Sequence, residues 1–130
     1  MRVKKNFMNE TQKLIFVYNA DSSLFNQVGD LIHKTISPKT YQCRLCGLTY
    51  SGVSMNKDWR DFIQSLHIKA EFLHKDEFTK TYPEFANSQF PAVFIKTGQE
   101  MRLFISSREI NQQQTLEALR NLVQTKTSKL

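Results

Sequence analysis

Residues 13–20, KLIFVYNA, constrain the fold more than any other stretch. The run is apolar and rich in β-formers, and it does not alternate. A strand with one wet face alternates apolar and polar side chains; a strand covered on both faces does not. This segment reads as a buried strand of a parallel sheet, with material packed above and below it. It stops at Asn19-Ala20-Asp21-Ser22-Ser23, where Asp21, Ser22 or Ser23 can cap a helix. Leu24, Val28, Leu31, Ile32 and Ile36 then recur at helical spacing until Pro38 ends the pattern. The domain therefore opens as strand, turn, helix.

Residues 37–53 carry no clear period, and both cysteines, Cys43 and Cys46, lie there. Long irregular connections inside compact domains are uncommon and often functional. Ser54 is placed to cap a second helix, with Met55, Trp59, Phe62, Ile63 and Leu66 on one face. HIKAEFLH, residues 67–74, alternates through Ile68, Ala70 and Phe72 and reads as a second strand. A short helical or turn region follows, anchored by Phe78, Tyr82 and Phe85, with Asp76 and Glu77 at its start. FPAVFIKTGQEMRLFIS, residues 90–106, is a hairpin in which Gly98 takes the positive φ of a tight turn. The last helix is read from Asn111, with Gln114 as its capping-box partner, and carries Leu116, Leu119, Leu122 and Val123 on its apolar stripe.

At 130 residues the chain is expected to form one domain over residues 13–125, between tails 1–12 and 126–130. The net charge of +6 favours acidic partners only in a general way, because the lysines and arginines are scattered. With no helix-turn-helix, RNP or zinc-finger pattern, no dedicated nucleic-acid role is expected. LIFVY is too short for a signal-peptide core, and no stretch reaches the length of a membrane span. The expected location is the cytoplasm, where a surface cysteine pair rests reduced. No G-x-x-x-x-G-K-[ST] loop is present to cradle phosphates.

The element order is β, α, loop, α, β, short α, ββ hairpin, α. It resembles the thioredoxin-like fold over residues 13–125: an α/β domain with a central mixed sheet of about four strands, helices on both faces, and a C-terminal ββα unit. The sharpest local match is FPAVFI, where Pro91, preceded by Phe90, stands directly before the third core strand. The resemblance implies a cis bond there. Thioredoxins, however, carry C-x-x-C between the first strand and first helix, and here YNADSS occupies that place. VYNADSSLFN, SPKTYQCRLCGLTY and EFLHKDEF also resemble a family of small bacterial proteins with a displaced C-x-x-C.

Parallel topology bears on where the cysteines lie. A first helix of about 15 residues descends roughly 22 Å at 1.5 Å per residue. The connector must climb back, and the seven residues before Cys43 span at most about 25 Å. Cys43 and Cys46 can thus reach the sheet end formed by Asn19, Asp21, Ser22, Ser23, Phe90 and Pro91, the expected binding residues. Three readings of the pair stay open. Thiol-redox chemistry would use Cys43 and Cys46 as attacking and resolving groups, with Lys39 and Arg44 as nearby cations. Zinc binding would need two more ligands, drawn from His33, His67 and His74. In the third reading the thiols are inert, and the fold serves as a peptide- or anion-binding module. No cofactor is expected, and the partner is an unspecified protein or small molecule.

Overall fold

The computed structural model describes residues 12–21, 44–51 and 54–130. The strand at the centre, β1 (Gln12–Tyr18), is the apolar run itself, and Leu14 through Tyr18 are all buried. The elements after it are α1 (Arg44–Thr49), β2 (Tyr50–Ser51), β3 (Ser54–Met55), α2 (Lys57–Ser65), β4 (Lys69–His74) and α3 (Lys75–Thr81). A 3-10 turn (Pro83–Phe85), β5 (Ala92–Thr97), β6 (Glu100–Ile105), α4 (Ser107–Asn111) and α5 (Leu116–Thr127) complete the chain.

The main sheet has four strands in the order β4-β1-β5-β6. β1 and β4 are parallel neighbours, in register from Lys13 opposite Lys69 to Tyr18 opposite His74. β5 lies antiparallel on the other side of β1, and β6 is antiparallel to β5. Gly98, with φ of 63°, turns the β5–β6 hairpin at the position where any Cβ would be strained. The register slips between Val93 and Phe94, so Phe104 is an extra residue in β6. The Phe90–Pro91 peptide is cis.

Alternation along β1 assigns the two layers. Leu14, Phe16 and Tyr18 face a large cluster containing Trp59, Phe62 and Ile63 of α2, Leu119 and Val123 of α5, and Leu45 and Cys46 of α1. Ile15 and Val17 point the other way, into a smaller cluster with Phe78, Ala92 and Phe94. That second layer is strongly aromatic. Phe78 stacks on Phe94 at 4.7 Å between ring centroids and meets Phe90 edge-on at 5.8 Å. The unbroken apolar character of KLIFVY follows directly, since helices cover both faces of β1.

Several local readings shift. Residues 44–51, read as irregular, hold α1 and β2, and β2 pairs with β3 at Ser54–Met55, residues read as the start of the second helix. The two short strands and six-residue helix are too brief to show a period. Asn56, not Ser54, caps α2, its side chain accepting from the Trp59 N–H at 3.1 Å, while Ser54 belongs to β3. Asn111 ends α4 rather than opening the last helix, which Thr115 caps through the Ala118 N–H. The chain does use a capping box, but at Ser106 and Glu109. Gln12 already belongs to β1, and α5 runs to Thr127, where the hydroxyl bonds the Val123 carbonyl. The expected helix over Leu24–Ile36 lies outside the described residues, as do Pro38, Lys39 and His33.

Candidate functional site

The carboxyl ends of β1 and β4 gather a cluster of polar side chains beside the core. Tyr18 is the last residue of β1 and almost fully buried. Its ring lies 5.7 Å from that of His74, its neighbour across the parallel ladder, and 5.7 Å from Tyr50 in a T-shaped contact. Open parallel sheets place their binding crevices outside these strand ends.

α1 comes to this end of the sheet and packs into the same cluster as Tyr18. Its Cys46 is only 1% exposed. Thr49 closes the helix, with its hydroxyl donating to the Leu45 carbonyl at 2.7 Å. The Asn56 N–H then bonds the Thr49 carbonyl at 2.6 Å and ties α1 to the start of α2. Burial pushes the Tyr18 phenol well above its ordinary pKa, and the adjoining Tyr50 hydroxyl and Cys46 thiol push it the same way. Burial also raises Tyr50, against an opposing hydrogen bond from Tyr18. The result is a trio of buried Tyr18 and Cys46 with half-buried Tyr50, whose hydroxyls stay protonated at neutral pH.

On the open side, the Glu77 carboxylate accepts from the His74 backbone N–H at 2.8 Å and lies 2.9 Å from His74 Nδ1. This fixes both the imidazole and the first turn of α3. The Lys75 N–H donates to the Ala20 carbonyl at 2.9 Å, so α3 is pinned to the turn after β1.

Of the binding residues expected from the sequence, Asn19 and Asp21 are exposed just past Tyr18. Phe90 and Pro91 immediately precede Ala92, the partner of Val17, so they stand at the same end of the sheet. Phe90 is half-buried against Phe78 and Pro91 is buried, so both help build this end from within. Ser22, Ser23 and Cys43 lie outside the described residues. His67 follows α2 and precedes β4, while His74 ends β4; the six-residue strand holds them about 20 Å apart. Among the described residues no three His, Cys, Asp or Glu side chains gather as a metal site, and no helix is long and apolar enough to cross a membrane.

Tyr18, Thr49 and Tyr50 were not singled out from sequence, and His74 and Glu77 were named only as a candidate zinc ligand and a helix start. Tyr18 and His74 merely end apolar strands there, and Thr49 and Tyr50 sit in the aperiodic connector. The one available signal was the parallel register that pairs position 18 with position 74. Comparison with family models, curated proteins and solved structures gave no match.

Proposed function

We propose that the chain is a thioredoxin-like protein that exchanges thiols and disulfides through Cys43 and Cys46. The fold part of this reading is supported by the parallel β1–β4 pair, the antiparallel β5–β6 hairpin followed by helices, and Pro91 directly ahead of β5. The observation that carries the chemistry is the place of Cys46. It is buried against the Tyr18 cluster at the carboxyl end of β1, in a helix whose first residue follows Cys43 in sequence.

A cysteine that is 1% exposed cannot be the first to meet a disulfide on another molecule. The attacking role falls to Cys43 and the resolving role to Cys46. The Cys43 thiolate attacks one sulfur of the partner disulfide, forming a mixed disulfide and releasing the other sulfur as a thiolate that takes up a proton. Cys46, having lost its own proton, then attacks the Cys43 sulfur and expels the second partner thiolate. The partner gains two electrons and two protons, and the chain is left with a Cys43–Cys46 disulfide. The small loop makes such a disulfide a weak staple and suits it to reversible use.

The test is trapping with glutathione disulfide as probe. Cys46→Ser should accumulate a stable glutathione adduct at Cys43, the wild type should pass through it to an internal disulfide, and Cys43→Ser should stay unmodified. No adduct in any of the three proteins would contradict the reading. A binding module using exposed Asn19 and Asp21 would occupy the same sheet end, and would keep its ligand when both cysteines are replaced by serine.

A further inference from the structure

On the face of the sheet away from Cys46, a groove of about 390 Å³ lies between the 3-10 turn, the loop before Pro91 and the start of α4. Its floor is Phe85, Phe94 and Leu103, and its walls include Gln89, Ser107 and Arg108. Leu103 is 50% exposed, one of two large apolar side chains so exposed among the described residues. It sits on β6, where the sheet order ends, and no other described strand pairs with that edge. Arg108 is exposed, is the only charged side chain lining the groove, and forms no ion pair among the described residues.

We infer that this groove and the edge of β6 that no described strand covers bind an extended acidic–apolar segment of a partner protein. Three features of one surface set the chemistry of that segment. An open strand edge offers a row of backbone donors and acceptors to an added strand. Leu103, Phe85 and Phe94 take a large apolar side chain from it. Arg108, with the Ser107 hydroxyl beside it, takes a carboxylate two residues away on the same face of the added strand. Charge selects the occupant. Among the described residues no acidic side chain lines the groove, and the chain carries +6, so an acidic segment is attracted and a basic one repelled. The chain's own first ten residues, MRVKKNFMNE, are basic and fit poorly. The surface faces away from Cys46, since Phe94 belongs to the cluster on the opposite face of the sheet. It stands or falls apart from the redox reading.

The probe is a fluorescent, end-blocked heptapeptide of threonines with leucine at position 3 and aspartate at position 5, two residues apart on one strand face, titrated by anisotropy against the full chain. The inference expects saturable binding that weakens at least tenfold in Arg108→Glu and in Leu103→Asp, and is unchanged when both cysteines are serine. Replacing aspartate by lysine in the peptide should abolish binding to wild type and restore it to Arg108→Glu. A peptide N-methylated on alternate amides should lose binding, because its edge can no longer donate. Both substitutions are at exposed positions, and circular dichroism of each variant should match wild type. Equal binding by wild type and Arg108→Glu, or no binding of the acidic peptide, would overturn the inference. So would a dimer in sedimentation that Leu103→Asp dissolves, since the occupant would then be a second copy of the chain.

Discussion

Tyr18 and His74 stand side by side at the carboxyl ends of two parallel strands, with their rings 5.7 Å apart. That pairing brings the end of the buried strand, the connector helix with Cys46 and the first turn of α3 to one place. A parallel β1–β4 ladder makes this arrangement possible, because both strands finish at the same end. An antiparallel ladder would have put Tyr18 opposite the start of β4 and left the Cys46 cluster without its neighbour.

The buried Tyr18 phenol predicts an alkaline limit to stability. Its folded pKa is raised, chiefly by burial, above the ordinary value of 10.0. The neutral form is therefore held in the folded chain, and its contribution is complete below pH 10. Above that, the unfolded chain gains by ionising while the folded chain does not, so stability falls as pH rises. Urea unfolding followed by the emission of Trp59, the only tryptophan and fully buried, should show this fall beginning near pH 10. Tyr18→Phe should flatten it.

The opposite limit comes from Glu109. Its carboxylate accepts from the Ser106 N–H at 2.8 Å and pairs with Lys126 at 2.9 Å, joining α4 to α5. Those contacts, the Ser106 hydrogen bond first, hold its pKa below the ordinary 4.5. A depressed folded pKa contributes stability above pH 4.5 that is lost as pH falls through the folded value. Solvent screens the half-exposed pair, so Glu109→Gln should cost only about 0.5–1 kcal/mol at pH 7. The cost should vanish in acid, as urea midpoints at pH 7 and pH 3 will show.

Phe78 is the keystone of the aromatic layer. It is fully buried and touches Tyr82, Phe85, Phe90 and Phe94. Phe78→Ala should destabilise by about 3–5 kcal/mol, from lost burial and the cavity left behind. Leu103→Ala, on the same face but half-exposed, should change stability by less than about 0.5 kcal/mol. Chemical denaturation of the two variants side by side checks the contrast.

The caps make a sharper local contrast. Thr115→Ala should cost about 1 kcal/mol, since its hydroxyl serves the Ala118 N–H. Asn111→Ala should be near neutral, because Asn111 ends α4 and reaches only Ser107 at 3.3 Å. Reversal of that order in thermal melts would contradict the helix boundary.

What could be read in the sequence depended on how much signal each element carries. The hairpin was plain because Gly98 sits between two apolar strands, and β1 was plain because the five apolar or aromatic residues Leu14 to Tyr18 run together without a break. The final helix was found but capped in the wrong place. Asn111 with Gln114 has the spacing of a capping box, yet packing of Ile110 draws Asn111 into α4 and leaves the cap to Thr115. The polar cluster around Tyr18 was invisible for another reason. Its members come from β1, α1, β2 and β4, and no sequence period joins them. The connector was expected to be able to carry both cysteines toward this sheet end; Cys46 packs into the Tyr18 cluster, and Cys43 lies outside the described residues.

The most direct test of the central proposal is equilibration of the full chain in dithiothreitol buffers of graded potential, followed by thiol alkylation and mass analysis. The thiol-exchange reading predicts a single reversible two-electron transition, with Cys43 and Cys46 losing one hydrogen each and becoming protected together. Two thiols that stay fully alkylatable in the most oxidising buffer, or a stoichiometric zinc ion released on alkylation, would contradict it.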